Sequence, residues 1–404
     1  MKDKYISKRK RFWAEIDINA AEKNFHLIKS KLKPETKLCC VVKANAYGHG
    51  AVYLSKLYES LGADFFAVSN IEEAMQLRNN GILTPILILG YTPTSCASIL
   101  AENNISQSVF SYSYAKELSK CAVADGVKVK IHIKLDSGMG RIGFDCIHKR
   151  EDMLQSIADV CNMDGLENEG IFTHFAIADE GEDGAAFTKL QYERFTQAVD
   201  ELHTRGIDFA IKHCANSATT FEYPEYHLDM VRVGVVLYGI APSGKVRDCD
   251  GLIPVMSLKS VISMIKEIEE GDTVSYGCTF KADKKMKIAT APVGYADGFW
   301  RSNATNGTQM LIRGQRVNIV GRVCMDQLML DVTNIKGVKE GDYITLIGSD
   351  RDETVSADEL AKNNGTIGYE IICAIGERVP RFYIKDHDIV FVKDNIVSYE
   401  IAEQ

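Results

Sequence analysis

The feature that most restricts how this chain can fold is a recurrence of eight short apolar runs, rich in β-branched and aromatic residues. They fall near residues 38–42, 65–68, 85–89, 106–110, 129–135, 170–174, 209–213 and 230–236. Each has the length of a buried strand, and amphipathic stretches separate most of them. A helical pattern over residues 19–32 follows an alternating, strand-like pattern over 12–18. Asn70, with Glu73 three residues on, opens a helix that stops at Gly81, and residues 186–206 form another with a glycine stop. Eight strands alternating with helices is the arithmetic of a (β/α)8 barrel of the TIM type. A doubly wound sheet shares the alternation, but no G-x-G-x-x-G fingerprint stands at the first turn. Lys43, His174, Asn216, Ser217 and Arg232 fall at or just past the C-terminal ends of predicted strands, and barrel enzymes carry their chemistry at that rim.

Beyond residue 254 the texture changes to β-type runs punctuated by glycine and aspartate. Strands are expected at 309–312, 317–320, 329–332 and 389–392, and the turns at 270–274 and 340–344 repeat Glu-Gly-Asp. The expectation is α/β plus β: a barrel over 12–254, then a mostly antiparallel β domain over 255–404. The first strand can pair with either. A chain of 404 residues suits two domains. A net charge of −8 argues against a nucleic-acid partner, and no apolar run approaches the roughly 18 residues of a membrane span. The basic run Lys8-Arg9-Lys10-Arg11 leads into Phe12-Trp13-Ala14-Glu15, not into a signal-peptide core, so residues 1–11 read as a solvated extension. The 11 cysteines show no C-x-x-C pair or zinc-type spacing. They read as reduced thiols of a cytoplasmic protein, with no metal site and no disulfide.

Several residues carry possible chemistry. Lys43 leaves the first buried run and is followed by small residues, Tyr47 and Gly48. Such an amine either snorkels to the surface or sits partly desolvated, with its pKa lowered for Schiff-base formation. Along residues 131–136, His132, Lys134 and Asp136 share one strand face, and both faces of a barrel strand are covered, so these groups must be paired. A Lys134–Asp136 charge network is the plain reading. Arg141 follows on a glycine-flanked turn. Barrels often bind phosphate with the loops after strands seven and eight. Ser217 and the backbone amides around Gly234 and Val235 suit a phosphate dianion. His174 ends its strand, and a lone histidine there is more often a satisfied structural group than a catalytic one.

The string Lys43-Ala44-Asn45-Ala46-Tyr47-Gly48-His49-Gly50 closely resembles the pyridoxal-phosphate lysine motif of the alanine racemase family. Residues 132–143, Val274-Ser275-Tyr276-Gly277, Gly294-Tyr295-Ala296-Asp297-Gly298, Gly321-Arg322-Val323-Cys324-Met325-Asp326-Gln327, Tyr369-Glu370 and Arg378-Val379-Pro380-Arg381 resemble that family's other motifs, in its order. The resemblance runs from about Trp13 to Arg381 and implies a homodimer with shared sites that racemises alanine by two bases and supplies D-alanine for peptidoglycan. Lys43 would hold pyridoxal 5′-phosphate and serve one face of the substrate, and Tyr276 of the partner subunit would serve the other. The resemblance sets Arg141 at the cofactor's phenolic oxygen, Arg232 at its pyridine nitrogen, and Tyr369, with Tyr47, at its phosphate. Met325 meets the substrate carboxylate, with Asp326 supporting, and Tyr295 stands at the entrance. Lys134 is often carbamylated in relatives. Phenols ionise well above neutral pH, so a hydrogen-bonded chain through His174 and His213 is the candidate helper for Tyr276. A serine or broad-specificity racemase is the nearest alternative. A basic-amino-acid decarboxylase would place an acid where Arg232 stands, and a non-catalytic cofactor carrier would lack the β domain.

Overall fold

The computed structural model describes residues 11–395, which form two compact units. One comprises Ala21–Ala46 and Ala51–Ile253. The other holds the described residues up to Ala20, Tyr47–Gly50, and the chain from Pro254.

After β1 (Phe12–Asp17), which belongs to the second unit, come the parallel strands of the first. They are β2 (Lys37–Val41), β3 (Phe65–Val68), β4 (Ile86–Ile88), β5 (Ile105–Val109), β6 (Val129–Asp136), β8 (Leu166–Phe172), β9 (Ile211–His213) and β10 (Met230–Val233). A two-residue β7 (Phe144–Asp145) hangs on β6. The sheet runs β10-β2-β3-β4-β5-β6-β8-β9. The remaining seam is drawn together by Asp229 N–H to Lys212 O at 3.1 Å and Arg232 N–H to Ala215 O at 3.0 Å. The result is a nearly closed eight-stranded barrel. β3, β4, β5 and β10 are buried along their whole length; β3 and β4 accordingly read as unbroken apolar runs, whereas β5 buries Ser106, Gln107 and Ser108 and β10 buries Arg232.

Three strands differ most from expectation. β10 stops at Val233, because Gly234 leaves β space (φ −120°, ψ −92°) and Val235–Tyr238 turn as a 3₁₀ helix. β9 has only three residues, with Phe209 outside it. β8 begins at Leu166, four residues early, because Glu167, Asn168 and Glu169 interrupt the apolar signal. The Asn70 cap is present, its Oδ1 accepting from Glu73 N–H at 2.9 Å. The Glu73 carboxylate, however, takes the N–H groups of Ser69 (2.8 Å) and Ala44 (2.7 Å).

In the second unit β1 pairs antiparallel with Met256–Val261 and parallel with Arg381–Lys385. From Met264–Ile268 the sheet continues through Met286–Ala291, Leu328–Asp331, Gln315–Val320, Gln309–Ile312 and Tyr343–Asp350 to those strands. Two helices, Ala357–Asn364 and Gly368–Cys373, interrupt the β pattern. A small hairpin, Thr273–Val274 with Phe280–Lys281, has Val274 buried in a core with Ile268, Ala282, Met286, Ile288 and Val320. Residues 1–10 of the expected solvated extension lie outside the described residues. Arg11 corrects that expectation: its guanidinium is bound to Pro292 O and the Asp297 carboxylate.

Candidate active site

Lys43 is half-buried where β2 gives way to an unusual turn. Ala44, Asn45, Ala46 and Tyr47 all take left-handed conformations, with φ between 52° and 54°. For residues with a Cβ this costs about 1–2 kcal/mol each, so the surroundings must hold it. Glu73 grips Ala44 N–H, Val42 O accepts from Ala46 N–H at 2.8 Å, and Asn45 Oδ1 accepts from Ala51 N–H at 2.9 Å. In the second unit, Gly48 (φ +84°) has no room for a side chain, since a Cβ there would lie 2.3 Å from Ile372 O. Buried Arg381 ties that segment down by donating to Gly48 O, Ile375 O, Gly376 O and Val379 O. Sequence reading missed Glu73 as a site residue, because its place at N3 of a helix explained it fully.

Across the C-terminal rim of the barrel the predicted cations converge. His174 is pushed well below the ordinary histidine range by burial first, then by the positive charges of Lys134, Arg232, Arg141 and Lys43. Lys134 is buried, its Nζ 4.6 Å from the Phe172 ring centroid, and the guanidinium carbon of Arg232 lies 5.2 Å from the same centroid. Burial, with Arg232 and Arg141 next, drives the Lys134 amine well below the usual lysine range. The expected Lys134–Asp136 pair does not form. Asp136 Oδ1 instead receives Gly138 N–H (3.0 Å) and Gly140 N–H (3.1 Å), fixing the turn that leads to exposed Arg141. Among the described residues, none of Lys134, Arg141 and Arg232 has a carboxylate within 4.0 Å.

Arg232 heads a buried chain of hydrogen bonds with a fixed direction. Its Nη1 lies 2.7 Å from His213 Nδ1, His213 Nε2 lies 2.9 Å from His132 Nδ1, and His132 Nε2 lies 3.0 Å from Glu169 Oε2. Arginine only donates, so His213 Nδ1 accepts, its Nε2–H donates onward, and His132 Nε2–H ends on the carboxylate. Both imidazoles are thereby neutral, and burial lowers both pKa values. Burial lowers Arg232 too, to about 10. Its Nη2 donates to Thr173 O (2.8 Å) and Cys214 O (3.2 Å) and approaches His174 Nδ1 at 3.4 Å. His213, expected beside His174 in a chain serving Tyr276, is taken up by Arg232 and His132. Glu169 was hidden from sequence reading in the polar start of β8.

At the seventh and eighth barrel strands, Ser217 Oγ accepts from Gly234 N–H at 2.9 Å and joins the two loops. Asn216 caps the short helix Ser217–Glu222 by accepting from Thr219 N–H at 3.0 Å. Val235 is buried beside them.

The remaining predicted residues lie in the second unit and are mostly uncovered. Tyr276 is 68% exposed, Met325 54% and Tyr295 43%. They share one platform. Tyr295 N–H and Ala296 N–H donate to Cys324 O and Met325 O, both at 3.1 Å, and Ser275 Oγ donates to Arg322 O at 2.8 Å. Ser275 itself has φ +68° at the entry of the Tyr276 turn. Half-buried Tyr369 has its ring 6.1 Å from that of buried Tyr47. Asp326 accepts from Arg378. No group of three or more potential metal ligands occurs among the described residues.

Comparison with known proteins agrees with this fold. The family models for the alanine racemase N-terminal domain and C-terminal domain match residues 16–242 and 255–383. An alanine racemase of Methanococcus maripaludis is 43% identical over 92% of this chain and 98% of its own. The solved alanine racemase of Clostridium difficile superposes with a TM-score of 0.90 at 40% identity, covering 96% of this chain and 99% of that one. A histidine racemase of Leuconostoc mesenteroides superposes at 0.83 with 30% identity, covering 93% and 99%. Fold and comparisons thus define an enzyme built on a nearly closed parallel barrel followed by a mostly antiparallel β domain. The chain belongs to the alanine racemase family.

Proposed function

We propose that this chain is a homodimeric cytoplasmic enzyme that interconverts L- and D-alanine with pyridoxal 5′-phosphate, providing D-alanine for peptidoglycan. The observation that carries the reading is the gathering of Lys43, Lys134, Arg141 and Arg232 about His174 at the barrel rim, with no carboxylate among the described residues within 4.0 Å of Lys134 or either arginine. Such a charge excess awaits anions. The donors fit the cofactor: the Ser217–Gly234 loops suit a phosphate, Arg141 a phenolic oxygen, and Lys43 an aldehyde carbon. When bound, that cofactor supplies an electron sink that eases loss of the substrate's α-proton.

The chain's own residues do the rest. Lys43 Nζ holds the cofactor and handles the proton on one face of the α-carbon. A single base returns the proton where it came from, so inversion needs a second group opposite, and Tyr276 of the partner subunit takes that role. The exposure of Tyr276, Met325 and Tyr295 in one chain supports their completing a neighbouring site. Arg232 keeps its proton at neutral pH, donating a hydrogen bond without acidifying the ring nitrogen, and so restrains side reactions. Tyr369, with Tyr47, adds the phosphate-side hydroxyl that the resemblance assigns, and favours alanine over serine.

Lys134 is the site of a carbamate. Burial and the neighbouring arginines ease loss of its proton; the free amine then adds carbon dioxide and releases a second proton, replacing a cation with an anion that can hold Arg141. Carbon-13 bicarbonate should give a carbamate resonance that Lys134→Ala removes. A density map that ends in a bare amine contradicts it.

The test of the whole is a chiral assay of purified protein with each L-amino acid, after borohydride reduction has located the cofactor. Alanine should have the highest kcat/KM and Lys43 should carry the reduced adduct. Equal turnover of serine or histidine would favour the broad-specificity alternative, and a preparation that borohydride does not label at Lys43 would overturn the reading.

A further inference from the structure

Arg11, the last residue of the N-terminal basic run, begins the described structure, and its backbone O accepts from Ser260 Oγ at 2.7 Å. Its guanidinium is bidentate on Asp297, with Nη2–Oδ1 at 2.6 Å and Nη1–Oδ2 at 3.1 Å, and Nη1 also donates to Pro292 O at 2.7 Å. The Asp297 side chain is fully buried, whereas that of Arg11 is 42% exposed. On its other side Asp297 receives Arg378 Nε at 2.7 Å and Gly294 N–H at 3.0 Å, and Arg378 Nη2 goes on to Asp326. One buried carboxylate is therefore the hub of the turn that carries Tyr295, and through Arg378 it also steadies the segment carrying Met325. The fit leaves little slack: a Cβ at Gly294 would lie 2.3 Å from both Cys324 O and Met325 O.

We propose that Arg11 is a positioning residue for substrate binding: from the N-terminal strand it locks the Tyr295–Met325 platform through Asp297. The proposal rests on the reading that Tyr295 and Met325 face substrate. A carboxylate with no solvent must keep its donors. With Arg11 gone, Arg378 alone supplies a guanidinium to Asp297, and its hold on Asp326 is redirected. The platform then shifts by a fraction of an ångström to an ångström, a displacement that matters for oriented binding. The effect belongs to KM first, because Tyr295 and Met325 hang directly on the Asp297 and Arg378 bonds, whereas Tyr276 joins the platform only through Ser275 and Arg322.

The test uses the full-length, cofactor-loaded enzyme and three variants. Arg11→Gln should raise KM for alanine roughly three- to tenfold, with kcat within about twofold of wild type. Arg11→Lys, which keeps the charge and loses the two-pronged geometry, should raise KM by a smaller factor. Tyr295→Phe checks the premise separately. If it leaves KM unchanged, the platform reading fails whatever Arg11 does. If it raises KM and Arg11→Gln only lowers the melting temperature, the reading stands and the positioning role of Arg11 is overturned.

Discussion

The barrel rim and the platform around Tyr276 hold their polar groups in opposite ways. At the rim, Arg232, His213 and His132 are buried and every step of their chain to Glu169 is hydrogen-bonded. On the platform the backbone is tightly knitted, yet Tyr276, Met325 and Tyr295 face outward. A buried polar group must find its partners within its own chain, whereas an exposed one on a stiff support can wait for them. The rim is thus built to hold charge, and the platform to be offered. Changes at the rim should cost cofactor binding or stability, and changes on the platform should cost substrate binding or turnover while the cofactor stays bound.

That contrast can be broken by mutation, and the largest effect is expected at Lys43. Lys43→Ala should abolish racemisation and borohydride labelling together, read by chiral chromatography and peptide mapping. Next comes Tyr276→Phe, which should reduce kcat by roughly 10²–10⁴-fold, the range for a lost acid–base group. Cofactor absorbance and melting temperature should stay unchanged, because the phenol is largely exposed. Glu169→Ala should do the reverse. It strands His132 Nε2–H in the barrel interior and should cost about 1–3 kcal/mol of stability by denaturant titration.

The smallest effect is a pH dependence. Burial lowers the folded-state pKa of His132, His174 and His213, so below about 6.5 the unfolded chain binds protons that the folded chain refuses, and stability falls with pH. Glu169 adds to this lower down. Burial alone would raise its pKa, but bonds from His132 and Ser106 bring it below the usual value. Its contribution is present above the ordinary glutamate pKa and lost as pH falls through the depressed one. Melting temperature should therefore drop between pH 7 and 5 and drop further below; Glu169→Gln should remove the glutamate contribution, while His132, losing the carboxylate that raises its pKa, keeps resisting protonation to lower pH.

What the sequence disclosed follows from the same contrast. Strands buried on both faces announce themselves as apolar runs, and motif residues at their C-terminal ends were legible, from Lys43 to Arg232. Glu169 was not, because a carboxylate pointing into a barrel reads like the loop before a strand. Glu73 was explained as a helix cap, and its grip on Ala44 depends on a left-handed turn that no spacing encodes. Arg11 looked like the end of a solvated run because its partner, Asp297, is 286 residues away. Such long-range pairs leave no periodic trace.

The most direct test of sites shared between two chains is complementation. Lys43→Ala and Tyr276→Phe proteins, the first inactive and the second at about a hundredth of wild-type activity or less, are mixed, dissociated and reassociated. Half the dimers should be hybrids, each with one intact site, so activity should return to about a quarter of wild type. No recovery, with hybrids demonstrated by mass spectrometry, would contradict an active site that draws Lys43 from one chain and Tyr276 from the other.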